Sequence, residues 1–252
     1  MRSLATGLML GVITLAGCGQ SADDSTRAKL KAADTSFEQA QTTDDYVRVA
    51  AQYQEIVDGG FAAAAVFYNQ GNAWAQADRR GYAIAAYLRA QQLTPRDTDL
   101  QANLEQTRKQ VQQTPGTDQT MGDVILFLTR YLSETELGRL ATVILAIALW
   151  ATLFAPGRFA RRLAAAAWLG FAVLMLTLGF DWYQRTMSPR GVMTAQATAF
   201  QGPAESYDAA FSTPLEDGVE FRVLAEQDDW LNITIAGAGE GWVPRRCCEL
   251  IR

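Results

Sequence analysis

The chain has 252 residues, 22 Lys and Arg against 27 Asp and Glu, and no histidine, for a formal net charge of -5. The missing histidine removes the usual general base, the Ser-His and Cys-His nucleophile pairs and the commonest zinc ligand, and the acidic balance leaves no basic stripe interleaved with aromatics for nucleic acid. Cys18, Cys247 and Cys248 are not spaced for redox chemistry or metal binding, so neither an enzyme nor a cofactor is expected.

Met1-Arg2 precedes the uncharged run Ser3 to Gly17, a positive start followed by an apolar core too short for a comfortable permanent span. The run ends in Leu15-Ala16-Gly17-Cys18, which resembles the bacterial lipobox. The resemblance implies a signal peptide over 1-18, lipid attachment at Cys18 and export of everything that follows. Gly19 to Thr26 is small and polar, suited to a short tether.

Residues 26-113 are expected to be helical. Phe67, Gly71, Trp74, Ala83, Tyr87, Ala90 and Pro95 have a spacing that resembles the tetratricopeptide repeat, a pair of antiparallel helices of 34 residues. Gly71 and Ala83 leave room where the helices approach, Phe67, Trp74 and Tyr87 fill volume, and Pro95 ends the second helix. Thirty-four residues upstream, Tyr53 stands for Tyr87, Ala40 for Trp74 and Ile56 for Ala90, a degenerate first repeat in which Phe37 replaces the small Gly71. Asp97 to Val111 reads as a polar capping helix with Leu100, Leu104 and Val111 on one face. The resemblance implies a shallow peptide groove faced by Tyr68, Asn72 and Gln76, with Asn72 either bonding a ligand backbone or simply solvated.

After the break at Thr114 to Thr117, residues 123-136 read as an interfacial amphipathic helix or as ordinary packing under the repeats, with Arg130 interrupting an apolar stretch. Two uncharged runs, Leu140 to Gly157 and Leu163 to Phe180, then predict transmembrane helices over 138-157 and 163-182. Trp150, Trp168, Trp182 and Tyr183 lie in or near them, as interfacial aromatics do. Arg158, Arg161 and Arg162 crowd the short connection from Pro156 to Arg162 and hold it in the cytoplasm, against Arg130, Arg139, Arg185 and Arg190 on the other side. With an exported N-terminus, both soluble parts then face the extracytoplasmic side of a bacterial inner membrane. The uncharged spans offer no ion path and act as an anchor.

From 188-252 the composition turns β-prone. Val219 to Val223 and Leu231 to Ile235 alternate by two, with turns at Asp228-Asp229 and Gly237 to Gly241. The order Gly202-Pro203, Gly218, Asp229-Trp230 and Gly241-Trp242-Val243-Pro244 resembles bacterial SH3-like domains, although Phe200-Gln201 stand where that family often has Arg before Gly-Pro. Trp230 and Trp242 either complete the core, the preferred reading, or line a groove for a peptide or cell-wall stem. Ten acidic and five basic residues disfavour acidic wall polymers and favour a basic protein surface. Adjacent Cys247 and Cys248 cannot form a relaxed disulfide and read as strand filler.

The whole order is a multi-domain chain of tetratricopeptide-like helices, two transmembrane helices and a small all-β SH3-like barrel. It resembles the BatE family of bacterial aerotolerance (Bat) operons. That resemblance implies a non-catalytic membrane scaffold whose partners are other envelope proteins, including von Willebrand factor A-type Bat components, with no nucleic acid and no small-molecule substrate. The alternative is a wall-recognition module, its SH3-like part on peptidoglycan and its repeats recruiting a wall enzyme.

Overall fold

The computed structural model describes residues 23–111, 132–154 and 157–251. The lipobox with Cys18 and residues 123–131 of the amphipathic stretch lie outside them. Five amphipathic or small-residue helices come first: α1 (Asp24–Gln39), α2 (Thr43–Asp58), α3 (Ala64–Gln76), α4 (Arg80–Leu93) and α5 (Thr98–Arg108). Three of the starts, those of α1, α2 and α5, follow from short polar side chains that take up otherwise unpaired backbone donors. Asp23 caps α1, Asp97 caps α5, and Thr42 with Asp45 forms a reciprocal capping box at α2. These hydrogen bonds hold the Asp45 carboxyl below its ordinary pKa. α1 already starts at Asp24, so Asp24, Ser25 and Thr26, expected as the end of a polar tether, are helical.

Successive helices pack as antiparallel hairpins. Gly71 is the close point between α3 and α4: a Cβ there would sit 2.5 Å from the ring carbons of Tyr87, which is 1% exposed. Alanines at 83, 85, 86 and 90 on α4 are buried on all sides, so α4 is the central helix of this layer. The capping helix ends at Arg108, three residues before Val111, yet Leu100, Leu104 and Val111 are all buried as their common face requires.

Two long apolar helices follow, α6 (Glu134–Phe154) and α7 (Arg158–Met187). Thr135–Phe154 and Arg158–Gln184 are long and apolar enough to cross a membrane, with mean hydropathies of 1.9 and 2.1. A helix of twenty residues rises about 30 Å, the thickness of a bilayer's hydrocarbon core. Little of either is buried, and Leu153, Phe159 and Leu176 are 69–81% exposed, unlike the core helices of a water-soluble domain. Arg158, Arg161 and Arg162 belong to the first turns of α7 and not to a loop. The pair packs through Leu137, Ala141 and Leu174, and Trp168 Nε1 donates to Thr152 Oγ1 at 3.3 Å.

Only Ser188 and Pro189 separate α7 from a five-stranded antiparallel sheet. Its strands are β1 (Arg190–Met193), β2 (Glu220–Gln227), β3 (Trp230–Ile235), β4 (Gly239–Pro244) and β5 (Cys248–Ile251), in the order β4-β3-β2-β1-β5. Ser188 Oγ donates to the Val223 carbonyl at 3.0 Å and the Val223 amide donates to the Pro189 carbonyl at 2.9 Å, so the junction is bonded into the sheet. Phe200 pairs with both Trp242 and Ala209, which carries the ladder past β4 through the segment that follows β1. Asp228 sits at φ 52° in the tight β2–β3 turn, a left-handed position that Asp tolerates.

The helical layer and the sheet are not separate. One apolar cluster runs from Phe67, Ile84, Tyr87 and Leu100 into Val192, Val219, Leu231 and Ile251. Around its edge, Arg108 clamps Glu220 through two hydrogen bonds of 2.6 and 2.9 Å, Arg89 pairs with Glu249 at 2.5 Å, and the Gly81 amide donates to Asp217 at 3.0 Å. A two-point Arg–carboxylate fork fixes orientation as well as distance. Arg96, between α4 and α5, also pairs with Glu136 at the start of α6. The helical layer and the sheet therefore both attach at one end of the apolar hairpin.

Candidate functional site

The residues expected to face a peptide groove belong to a hydrogen-bond network between helices. Asn72 Oδ1 accepts from the Tyr87 hydroxyl at 2.8 Å and from Asn103 Nδ2 at 3.0 Å, and Asn103 Nδ2 also donates to the Tyr68 hydroxyl at 3.0 Å. Burial pushes the Tyr87 hydroxyl well above its ordinary pKa. Gln76, one turn further along α3, is exposed. A related tie occurs earlier in the chain: Asn69 donates to Asp34 at 3.3 Å, as Asn103 donates to Tyr68, while Tyr53 also donates to Asp34, at 2.6 Å. Tyr53 and Tyr87 are 34 positions apart, as are Asn69 and Asn103, and Asp34 and Tyr68. Tyr68 and Asn72 thus knit α3 to α4 and α5, and of the three only Gln76 projects freely from that face.

Trp230 and Trp242 lie on the outward half of the sheet. On β3 the buried positions are Leu231, Ile233 and Ile235, so the period of two sends Trp230, Asn232 and Thr234 to the opposite side. Trp242 is the cross-strand partner of Asn232 and shares that side. Both indoles are half-buried, and Phe200 packs edge-on against Trp230 at 5.8 Å. The preferred expectation of a core role is corrected by this parity: the core is built from the alternate residues, and the indoles form an aromatic face outside it.

A third feature was not foreseen. A cavity of about 410 Å³ opens where α2, α3, α4 and β5 meet, within the size range of ligand sites. Trp74 and Tyr82 stack along one wall at 4.8 Å with an interplanar angle of 26°. Gln70, 2% exposed, donates through Nε2 to Gln54 Oε1 at 2.9 Å and to the Ala50 carbonyl at 3.4 Å, while its Oε1 has no donor among the described residues. Leaving a buried acceptor unpaired costs about 1–3 kcal/mol. Nothing in the sequence singled it out, because Gln70 is one of four amide side chains on α3, with Asn69, Asn72 and Gln76.

Cys248 is half-buried at the head of β5, its thiol 3.7 Å from Met193 Sδ, and burial pushes it up to about 12. It is protonated and unreactive at neutral pH. Among the described residues no cluster of three or more acidic or cysteine side chains is placed to hold a metal ion. No family model, curated protein or solved structure matches the chain.

Proposed function

We propose that this chain is a non-catalytic, membrane-anchored scaffold of the bacterial envelope that presents two protein-binding faces from one rigid body. The observation that carries the reading is the attachment of the helical layer and the sheet at one end of an exposed apolar hairpin, sharing a single core. An even number of crossings keeps both on one side of a bilayer, and the exported N-terminus makes that side extracytoplasmic. Tetratricopeptide-like repeats are supported by the 34-residue recurrence of the asparagine bond, from Asn69 to Asp34 and from Asn103 to Tyr68, and an SH3-like domain by the five antiparallel strands. This combination favours a component of a Bat-type complex, with von Willebrand factor A-type membrane proteins as partners.

Faces held on one body gain effective concentration from each other, so neither has to bind tightly alone. Photocrosslinking from Gln76 and from Trp242 in native membranes, followed by identification of the captured proteins, tests the reading. Capture of the same integral-membrane partners from both positions supports it, and capture of none from either position refutes it.

The outward aromatic face of Trp230, Trp242 and Phe200 favours a second reading, recognition of a cell-wall stem. Retention of the full chain on purified sacculi, lost in Trp242→Ala, would support that alternative over the scaffold.

A further inference from the structure

We propose that the cavity between α2, α3, α4 and β5 binds the guanidinium group of an arginine side chain presented by a partner protein. Its polar wall is a relay of amides: Gln70 Nε2 donates to Gln54 Oε1, and Gln54 Nε2 donates on to Asp58 Oδ1 at 2.8 Å. The relay fixes how Gln70 is turned, because flipping its amide would set the oxygen against the Ala50 carbonyl, an acceptor facing an acceptor. Gln70, a residue of the cavity wall, therefore holds Oε1 as a buried acceptor with no donor among the described residues.

Charge points the same way. Arg89 is taken up by Glu249 at 2.5 Å and by the Leu250 carbonyl at 3.0 Å. Glu55 and Asp58 remain on the rim, exposed and with no cation paired to them among the described residues. The occupant must bring hydrogen-bond donors, positive charge and a flat face for the stacked Trp74 and Tyr82. A guanidinium meets all three demands, being planar, permanently charged, weakly hydrated and equipped with five donors and no acceptor. It also gains from lying on an aromatic face. An ammonium group supplies charge without the plane, a neutral amide supplies the plane without charge, and an anion is repelled. The site lies away from Gln76 and from the Trp230 face, and it does not depend on how the chain sits in a membrane.

The test follows the indole N–H resonance of Trp74 in the full-length protein in detergent, assigned by its loss in Trp74→Phe. N-acetyl-arginine amide is expected to shift it saturably, with N-acetyl-citrulline amide, the uncharged isostere, and N-acetyl-lysine amide each at least about tenfold weaker. The double variant Glu55→Gln, Asp58→Asn changes only exposed side chains and is expected to weaken arginine amide binding about tenfold with melting unchanged. The proposal is overturned if citrulline or lysine amide matches arginine amide, if arginine amide gives no saturable shift, or if the folded double variant binds as tightly. The arginine–citrulline comparison in the unaltered chain decides the matter even where the variant fails to fold.

Discussion

Gly81, at the start of α4, packs its α-carbon against the carbonyl oxygen of Met193 in β1, and no methyl group fits between them. Its amide meanwhile donates to Asp217 at 3.0 Å. This close approach helps seat the helical layer on the sheet, beside the Arg108–Glu220 and Arg89–Glu249 pairs.

Gly81→Ala is therefore expected to pry the two layers apart. The added carbon would overlap backbone on β1, which cannot rotate away, and overpacking of this kind costs about 1–3 kcal/mol. Hydrogen exchange should quicken at the amides of Val192, Met193 and Val219 while α1 and α2 keep their protection. Unchanged exchange at those amides would show that the interface does not depend on the glycine.

Asn72→Ala is expected to destabilise the helical layer by about 1–3 kcal/mol, because it deprives the buried Tyr87 hydroxyl of its acceptor. Adding Tyr87→Phe removes the stranded hydroxyl and should return part of the loss, a coupling that thermal melting of the two single variants and the double variant would measure. If Asn72→Ala melts like the parent, the residue does not serve as a helix-to-helix tie.

Asp217 carries a pH dependence whose sign is fixed by its surroundings. Burial raises its pKa above the ordinary carboxylate value, outweighing the Gly81 amide and the Arg80 and Arg79 charges. A raised folded-state pKa contributes stability that is complete below the unfolded value near 3.8 and is lost as pH climbs through the folded value. Asp217→Asn keeps an acceptor for the Gly81 amide without the buried charge. It should melt higher than the parent at pH 7, with the gap closing as pH falls toward 4. A variant that melts lower than the parent at pH 7 would mean that the ionised carboxylate is net stabilising.

The proposal that α6 and α7 both cross the membrane carries its own expectation. In a background lacking Cys247 and Cys248, Gln76→Cys and Ser206→Cys should react with a membrane-impermeant thiol reagent on intact spheroplasts, and Gly157→Cys should not. Reaction at Gln76→Cys with protection at Ser206→Cys would leave only one helix spanning, and the scaffold with both faces on one side would have to be abandoned.

How far the sequence revealed this molecule depends on the range of each contact. Gly71 under Tyr87 was legible because both residues fall within one helical hairpin, a small residue opposite a large one at the spacing of a helix pair. The outward position of Trp230 was equally legible, since Leu231, Ile233 and Ile235 fix the parity of β3, and that parity outweighs the pull of aromatic bulk toward the core. The four-residue strands β1 and β5 were harder: each is short, and they pair across more than fifty intervening residues. Gly81 is intelligible only from β1, so within α4 it reads as nothing more than a weak helix former. The cavity was hidden for the same reason, its walls coming from three helices and the last strand.

The two-residue junction between α7 and β1 has a mechanical meaning. Ser188 and Pro189 are both tied to Val223, so α7 enters the sheet as a mast enters a hull and not as a rope holds a buoy. For a chain seated in a bilayer, any partner is then met at one height and one heading above the lipid surface. Turning or leaning the hairpin swings the aromatic face, the repeat face and the cavity together, which makes a neighbour that presses on α6 and α7 a rudder for all three.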